Sequence, residues 1–406
     1  MTAVVLTYGV PWPLNSGARI RDEGLIRNLA ALGVAIHLVC FAKDEHEIPN
    51  LAQLEDACAS VTIFRPPLRG LTANLAAAWR GWRGGRPLAM LPFFFPELNE
   101  LLQNLLVKSH ADILQIEHSF LAAYRQSAQA LPGVRTILSM HNLGFQQYAR
   151  MARLAGPAEW FGAAIKAALM KDWEAAWASK FDVCVTVSHA DAELLRESGC
   201  TAEISVVENG VDCERLRMLP RVTSADMLFA GVIGYAPNAD AVEYFSREIL
   251  PKIRLEVPEA RLFVVGRSPP DRVLRLHCES VIVTGEVLDM QPWYRRCRLS
   301  IVPLRSGGGT RLKILEAMAL GRPVVSTTIG CEGIVVTPGR ELLVADTPAA
   351  FAAHVVRLIR EDNLWSAIAS DARLAVETAY SWNLLGRRLH AIYVTQRDEK
   401  LDHVCH

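Results

Sequence analysis

The 406-residue sequence lacks the features that mark three specialised classes of protein. It has 43 Lys+Arg and 43 Asp+Glu residues, so no net charge predicts binding to nucleic acid. None of its nine cysteines forms a C-x-x-C pair, which indicates neither a zinc site nor a disulfide framework, and free thiols fit a reducing cytosol. No apolar run approaches the ~20 residues that span a bilayer, and the first residues lack the basic region of a signal peptide. We therefore expect a cytoplasmic protein, either free or held peripherally on the inner face of the membrane.

A local absence stands out between residues 57 and 96, which contain no acidic residue. Tryptophan and phenylalanine alternate there with five arginines: Arg65, Arg69, Arg80, Arg83 and Arg86. Basic residues mixed with aromatic ones suit an anionic membrane surface. A helix and loop packed on a sheet, with solvated arginines, would give the same composition, so both interpretations are kept.

The order of apolar runs predicts the fold class. Short apolar runs of strand length alternate with helical patterns through both halves of the chain, which favours α/β domains with parallel sheets. A polar, irregular stretch at residues 213–226 separates the two series. We predict two doubly wound Rossmann-like domains facing across a cleft, at residues 1–218 and 219–381, with a final helical segment at 382–406 that crosses back to the first domain.

The most informative stretch is residues 298–332, RLSIVPLRSGGGTRLKILEAMALGRPVVSTTIGCE. Its pattern predicts a buried strand at 299–304, a loop ending in three glycines, a helix at 310–320 and a second strand at 323–327. The glycines therefore fall between a strand and the start of a helix.

This junction favours an anionic ligand. A helix N-terminus presents unpaired N–H groups, and Gly307, Gly308 and Gly309 allow a ligand to approach the backbone closely. Arg311 and Lys313 are predicted in the first helical turn, where cations oppose the helix dipole by ~0.3–1 kcal/mol each. A bound phosphate or diphosphate would offset that cost. The alternative is a tight turn with solvated charges, and the stretch matches neither a Walker A loop nor a G-x-G-x-x-G fingerprint.

Polar and glycine residues recur directly after the predicted strands. Ligands of open parallel sheets bind beyond the carboxyl ends of the strands, so this placement marks candidate binding residues. Besides the triple glycine, the residues so placed are Ser16, Gly17, Glu117, His118, His141, Asn142, Gly231, Asn238, Gly266 and Arg267.

Several motifs together resemble one enzyme family. They are GGGTRLKILEAMALGRPVVST, VVENGVD at 206–212, APNADAVEYF at 236–245, the proline-glycine loop at 11–17 and MHN at 140–142. In this order they are similar to the glycosyltransferases of the GT-B architecture, and most to retaining family 4 (glycosyl transferases group 1). The similarity runs nearly end to end.

The resemblance implies a nucleotide diphosphate sugar as donor, held mainly by the second domain. Glu316 matches the second glutamate of the family's E-x7-E signature, which binds the ribose. Gly308 stands where the family's first glutamate usually contacts the sugar. Because glycine has no carboxylate, we expect the backbone amides of Gly308, Gly309 and Thr310 to make these contacts instead. The family often has an Arg and a Lys that neutralise the diphosphate, but the corresponding stretch GVIGYAPN contains neither. We therefore expect Arg311 and Lys313 to neutralise the diphosphate instead.

The remaining implied roles concern the other glycine-rich turns and the first domain. Gly17, Gly231, Asn238, Gly266 and Arg267 are expected around the donor. His141 matches the family's acceptor-side histidine and would position the sugar or acceptor, although a buried structural histidine fits the sequence alone equally well. Further acceptor-side candidates are Ser16, Glu117, His118 and Asn142, with Arg19 and Arg21 as weaker ones. No metal or cofactor is implied, since no Asp-x-Asp motif occupies a suitable loop.

The expected reaction is transfer with retention to a glycan or lipid-linked acceptor in polysaccharide or glycolipid biosynthesis. Two other functions share the architecture: a nucleotide-sugar 2-epimerase, which needs no acceptor, and a non-catalytic subunit that binds sugar nucleotides. The missing first glutamate keeps the second of these open.

Overall fold

The computed structural model describes residues 1–42, 51–66, 93–154, 157–307 and 311–395. The chain forms two compact units: Met1–Glu208 together with the chain from Asn383 onwards, and Asn209–Trp382. The division thus falls ahead of the predicted boundary at 218, inside the turn that follows the last strand of the first unit. Among the described residues, no helix is long and apolar enough to cross a membrane.

The first unit is built on a seven-stranded, all-parallel sheet with the order β3-β2-β1-β4-β5-β6-β7. Its strands are β1 (Thr2–Tyr8), β2 (Ala35–Phe41), β3 (Ser60–Phe64), β4 (Ile113–Glu117), β5 (Arg135–Met140), β6 (Val183–Thr186) and β7 (Glu203–Val206). Its helices before the second unit are α1 (Gly17–Ala31), α2 (Ala52–Glu55), α3 (Pro96–Lys108), a 3₁₀ helix (Ser119–Ala128), α4 (Gly144–Leu154), α5 (Pro157–Ala178) and α6 (His189–Glu197).

The second unit repeats this plan with a six-stranded parallel sheet in the order β10-β9-β8-β11-β12-β13. Its strands are β8 (Asp226–Ala230), β9 (Arg261–Val265), β10 (Val281–Gly285), β11 (Leu299–Val302), β12 (Val324–Ser326) and β13 (Leu343–Val344). Its helices are α7 (Ala236–Tyr244), a π-helical turn (Phe245–Ile249), α8 (Leu250–Glu256), α9 (Asp271–Leu274), α10 (Gln291–Arg296), α11 (Leu312–Ala319), α12 (Pro348–Arg360) and α13 (Asp362–Ala379).

Both strand orders reverse direction beside the first strand of the unit, which is the doubly wound Rossmann arrangement. The predicted fold class of two Rossmann-like domains is confirmed. The strands are apolar because helices cover both faces of each sheet; in β1, for example, residues from Ala3 to Leu6 are at most 1% exposed.

The last helix, α14 (Trp382–Val394), begins at the boundary between the units, and from Asn383 it belongs to the first. The Arg135 side chain donates a hydrogen bond to the carbonyl of Ile392, and the Tyr393 hydroxyl donates to the side chain of Gln115 at 2.7 Å. Helix α14 therefore contacts the sheet of the first unit through these two hydrogen bonds.

Part of the acid-free stretch lies in the core of the first unit. Phe95 is 5% exposed, and its ring lies 5.7 Å from that of Phe41 and 5.8 Å from that of Phe64. Phe93 and Phe94 pack against the same core. The membrane interpretation is therefore wrong for these three phenylalanines, while residues 67–92 lie outside the described residues.

A buried carboxylate fixes the start of α4, just after the predicted site residues His141 and Asn142. Glu174 of α5, which is 1% exposed, accepts hydrogen bonds from the backbone N–H groups of Gly144 (3.0 Å) and Phe145 (3.1 Å). The Ser119 hydroxyl donates to the same carboxylate at 2.6 Å. Two unpaired donors at a helix start are thus satisfied from a neighbouring helix.

We predict that Glu174→Ala destabilises the first unit by about 1–3 kcal/mol, because the substitution leaves buried donors without an acceptor. Chemical denaturation followed by circular dichroism measures the loss. Asp172→Ala, an exposed carboxylate on the same helix, is the matched control and should change stability by less than about 0.5 kcal/mol. Equal losses in the two variants would contradict the capping role.

Candidate functional site

In the first unit, parallel pairing brings a histidine against two carboxylates. Glu117 ends β4 and lies opposite Ser139 of β5, so that His141 follows at the same edge. The Nε2 atom of His141 lies 2.8 Å from Oε2 of Glu117 and 3.2 Å from Oδ1 of Asp22, which comes from α1. The histidine side chain is 9% exposed and both carboxylate side chains are 2% exposed.

Asp22 was not predicted as a site residue, although the sequence contains a signal for it. Asp22 stands at helical spacing i, i+3, i+4, i+7 with Leu25, Ile26 and Leu29, all of which are buried. A carboxylate on the core-facing stripe of a helix requires a buried partner, and His141 is that partner.

The charges of this cluster support one another. Burial alone would lower the pKa of His141, but Asp22 and Glu117 raise it to about 9. Burial would likewise raise the pKa of Glu117, but the hydrogen bond with His141 and its charge lower it. His141 is therefore an imidazolium at neutral pH, with its Nε2–H held by the two carboxylates.

His118 is the opposite case, a histidine kept neutral. Its backbone φ is 73°, and its ring stacks on Phe120 with the centroids 4.9 Å apart. The His141 ring lies 3.9 Å from it, centroid to centroid, at a tilt of 41°. Burial, and then the charge of His141, holds its pKa well below 6.5. The ligand atoms of Asp22, His118 and His141 lie within 4.8 Å of one another, close enough to hold a metal ion.

The cluster is also linked to the end of the chain. Gln115 donates through Nε2 to Oε1 of Glu117, and its Oε1 accepts the hydrogen bond from Tyr393. A continuous hydrogen-bonded chain therefore runs from α14 through Gln115 and Glu117 to His141. Sequence reasoning missed both Gln115 and Tyr393.

The other candidates of the first unit have separate positions. Ser16 is the extended N-cap residue of α1, Gly17 is its exposed first residue, and Asn142 is half-buried directly after His141. Arg21, a weaker acceptor-side candidate, has a structural role. It is 1% exposed and donates to the carbonyls of Val207 (2.9 Å) and Glu208 (2.8 Å).

In the second unit, two glycines meet at the carboxyl ends of adjacent strands. Gly231 follows β8 and Gly266 follows β9, with φ angles of 145° and 151° that favour glycine. A Cβ placed on Gly266 would lie 1.6 Å from the carbonyl oxygen of Gly231. This close approach of two backbones excludes every other residue from position 266.

Lys313 of α11 reaches the same place. Its Nζ donates to Oδ1 of Asn238 at 2.9 Å and lies 4.2 Å from the ring centroid of Phe229. A Cβ on Gly231 would be 2.8 Å from that Nζ, so the glycine leaves room for the ammonium group. Burial, and then the charge of Arg311, lowers the pKa of Lys313 to about 7.

The start of α11 differs from the prediction. The helix begins at Leu312, and Arg311 is its N-cap with extended backbone (φ −88°, ψ 91°), so Arg311 lies before the first turn rather than in it. A Cβ on Gly307 (φ 118°) would lie 3.0 Å from the guanidinium of Arg311. Gly308, Gly309 and Thr310 lie outside the described residues.

Two further residues that were predicted to bind the donor sugar nucleotide flank this site. Burial raises the pKa of Glu316 to about 7, although the charges of Arg215 and Lys313 act against it. Arg267 is half-buried, and its backbone carbonyl accepts hydrogen bonds from the N–H groups of Ile233 (3.0 Å) and Gly234 (3.4 Å). Its backbone therefore helps to fix the loop after β8.

Two family models match the chain, one in each half. The model described as Glycosyltransferase Family 4 matches residues 23–215, and the model described as Glycosyl transferases group 1 matches residues 224–361. With the two Rossmann-like units, these matches define a glycosyltransferase of the GT-B class. Within that class, the chain belongs to the family 4, or group 1, glycosyltransferases.

Two curated relatives are similar over part of the chain. One is an uncharacterised 44.6 kDa protein in the cps region of Klebsiella pneumoniae, 25% identical over 39% of this chain and 43% of its own length. The chain thus matches less than half of that relative. The other is the GDP-mannose-dependent monoacylated α-(1-6)-phosphatidylinositol monomannoside mannosyltransferase of Corynebacterium glutamicum, 21% identical over 68% of this chain and 82% of that protein.

Solved structures share the fold over almost the whole chain. Sucrose-phosphate synthase from Thermosynechococcus elongatus has a TM-score of 0.74 at 15% identity, covering 97% of this chain and 98% of that one. Anabaena HepE, solved with UDP and glucose, has a TM-score of 0.67 at 15% identity, covering 97% and 99%. TarM has a TM-score of 0.69 at 10% identity, covering 97% and 98%.

We predict that His141 titrates with a pKa of about 9, whereas His118 stays neutral throughout the titration. Because the pKa of His141 is raised above 6.5, its stabilising contribution is complete below that pH and is lost as pH rises through about 9. NMR of protein labelled with ¹³C-histidine measures both pKa values, with His141→Asn and His118→Asn assigning the signals.

Asp22→Asn provides the internal comparison, because it removes one carboxylate and should lower the pKa of His141. An unchanged His141 pKa in that variant, or a value near 6.5 in the unmodified protein, would contradict the ion cluster.

Proposed function

We propose that the protein transfers a sugar from a nucleotide diphosphate sugar to a glycan or lipid-linked acceptor, with retention of anomeric configuration. The observation that carries this proposal is the junction of the Gly231 and Gly266 backbones beside the ammonium group of Lys313. Two residues without side chains let a ligand approach closely there, and Lys313 supplies a cation to stabilise a diphosphate. The biological context we propose is polysaccharide or glycolipid biosynthesis.

The names of relatives support this choice of substrates. HepE has been solved with UDP-glucose, and the Corynebacterium relative is named as a GDP-mannose-dependent mannosyltransferase of an acylated phosphatidylinositol mannoside. S. aureus TarM has been solved with α-GlcNAc-glycerol and UDP. In these three proteins the named nucleotide is a nucleotide diphosphate sugar, or the nucleoside diphosphate that transfer leaves behind. One of the named acceptors is a lipid.

On the donor side, we assign the diphosphate to Lys313 and Arg311 and the ribose to Glu316. Lys313 has a pKa of about 7 in the free protein because burial disfavours its charged form. A bound diphosphate would favour the charged form of Lys313 again, because a nearby opposite charge stabilises the ammonium group. The attraction between them therefore arises only when the anion is present. Backbone amides of Gly308, Gly309 and Thr310 remain our proposal for the sugar and phosphate contacts.

On the acceptor side, we assign a positioning role to His141. With its Nε2–H held by Glu117 and Asp22, the imidazolium offers Nδ1–H as a second donor for a hydroxyl of the sugar or acceptor. Two buried carboxylates fix the orientation of the ring, so the direction of its Nδ1–H group is set before substrate binds. Glu117, His118 and Asn142 then shape the surrounding surface, and no metal or cofactor takes part.

The proposed reaction exchanges one bond at the anomeric carbon. The bond from that carbon to the diphosphate oxygen breaks, and the acceptor oxygen forms a new bond on the same face of the sugar. The acceptor proton passes to the departing diphosphate oxygen. Stabilising that oxygen is the main electrostatic task, which is why the cations of α11 and its N-cap matter.

The decisive experiment is a donor screen followed by product analysis. Thermal-shift measurements against UDP-, GDP-, ADP- and dTDP-sugars identify the donor, since a ligand at a hundredfold excess over Kd stabilises the folded protein by ~2.7 kcal/mol. Incubation with that donor and candidate acceptors, with NMR of the product, should show an anomeric configuration equal to that of the donor.

Other outcomes would point elsewhere. Conversion of the donor without acceptor would indicate a 2-epimerase, and an inverted product would refute retention. Nucleotide binding with no turnover on any acceptor would favour a non-catalytic subunit.

We predict that nucleoside diphosphate affinity falls as pH rises above about 7. Binding must then protonate Lys313, so the dissociation constant should rise by up to about tenfold per pH unit. Isothermal titration of UDP and GDP in buffers of different ionisation enthalpy should reveal uptake of a proton. Lys313→Arg, which stays charged, should weaken both effects, and Glu316, whose pKa is also about 7, accounts for any remainder.

Lys252→Arg is the matched control, because Lys252 is exposed on α8 of the same unit. It should keep the pH dependence of the unmodified protein. Binding without proton uptake in the unmodified protein would remove Lys313 from the diphosphate site.

A further inference from the structure

Helix α14 places a polar side chain against a buried strand of the first unit. Tyr393 is 3% exposed, and its hydroxyl donates to Oε1 of Gln115 at 2.7 Å. Gln115 is itself buried in the middle of β4, between the apolar residues Leu114 and Ile116. Phenylalanine and methionine would fill the same space without buried polar atoms that need partners. The Tyr393–Gln115 pair therefore calls for an explanation beyond the packing of the helix on the sheet.

The carboxylate of Glu117 fixes which way the Gln115 amide faces. Glu117 is two residues further along β4, so its side chain lies on the same face of the sheet. Burial would raise the pKa of Glu117, but the hydrogen bond with His141 lowers it, so the group is ionised and only accepts hydrogen bonds. Gln115 must therefore present its Nε2–H to Oε1 of Glu117, which leaves the amide oxygen for the Tyr393 hydroxyl. Burial, and then the charge of Glu117, raises the pKa of Tyr393 well above 10, so the hydroxyl keeps the proton that it donates.

Both oxygens of Glu117 are thereby engaged in fixed directions. Oε1 accepts from Gln115, and Oε2 lies 2.8 Å from Nε2 of His141. The last torsion of a glutamate side chain has only a broad preference of its own, so hydrogen bonds decide how the carboxylate is turned. Without the Gln115 donor, the carboxylate can rotate and the His141 ring can follow it.

The same helix packs closely on α1, which supplies the second carboxylate of the His141 cluster (His141, Glu117 and Asp22). A Cβ placed on Gly386 of α14 would lie 2.5 Å from Cβ of Asn28, which is less than two turns from Asp22 along α1. The two backbones approach closely because Gly386 has no side chain. Helix α14 thus contacts both elements that hold the carboxylates around His141.

We propose that Tyr393, acting through Gln115 and Glu117, is a positioning residue that holds the His141 ring in the direction needed for transfer. This inference rests on the proposed function, in which the ring meets a hydroxyl of the sugar or acceptor. Gln115 is the second positioning residue, because it passes the fixed direction of the Tyr393 hydroxyl on to the carboxylate.

NMR relaxation of protein labelled with ¹³C-histidine tests this proposal, because the ring carbons of His141 report how rigidly the ring is held. Tyr393→Phe and Gln115→Met should each increase the amplitude of ring motion. Each should also make the Nε2–H proton of His141 exchange with water about tenfold faster, because a buried group left without its partner favours other orientations. Combining the two substitutions should add nothing to the effect of Gln115→Met alone, since Tyr393 acts through Gln115.

Tyr124→Phe is the matched control, because it also removes a buried hydroxyl of the first unit. That hydroxyl donates to the carbonyl of Phe93 at 2.8 Å and accepts from the N–H group of Phe95 at 2.9 Å. The control should leave the motion of the His141 ring unchanged. An equally rigid ring in the Tyr393 and Gln115 variants, equal loosening in the control, or additive effects in the double variant would each overturn the proposal.

Transfer kinetics provide the second test. Tyr393→Phe should lower kcat about tenfold, because a small misplacement of a positioning group is costly, while the dissociation constant of the nucleoside diphosphate stays unchanged. In protein that carries His141→Asn, the same substitution should lower kcat no further, and a further fall would contradict action through His141. If the protein transfers no sugar, the proposed function fails, whereas the relaxation measurement still decides the role of Tyr393.

Discussion

Parallel pairing of β4 with β5 is the constraint on which the His141 cluster of the first unit depends. Since both strands run the same way, Glu117 and His141 leave the sheet at one edge, although 24 residues separate them in sequence. The same constraint acts in the second unit, where pairing of β8 with β9 sets Gly231 beside Gly266. Each unit therefore gathers its chemistry at a strand edge without any long loop having to fold around it.

The two sites use burial in opposite ways. In the first unit, two buried carboxylates raise the pKa of His141, so its charged form is favoured and its ring is fixed. In the second, burial weakens the charged form of Lys313 and raises the pKa of Glu316, so both residues stand near their titration points. A group held near its titration point responds strongly to an arriving anion, whereas a saturated pair does not. The first arrangement suits positioning, and the second suits binding of a diphosphate.

Sequence reasoning identified the fold because strand length, helix length and their alternation are local signals. It also found Glu117, His118 and His141, since residues after parallel strands collect at one edge. It missed Tyr393 and Gln115, which lie 278 residues apart and are joined only by the tertiary structure. It also misplaced Arg311, because helix ends depend on backbone angles that side-chain propensity does not fix to the residue.

Helix α5 shows a related limit. Residues 160–171 read WFGAAIKAALMK, a composition that is apolar around much of the helix. Hydrophobic periodicity does not separate the two apolar faces, and only the packing of Met170 and Trp173 in the core reveals which one is left in solvent. The fold gains nothing from Phe161 or Leu169 at the surface, whereas lysine or glutamate would keep the helix and improve solubility. Phe161 and Leu169 are 63% and 57% exposed, and only the tertiary structure shows which apolar side chains of this helix remain in solvent.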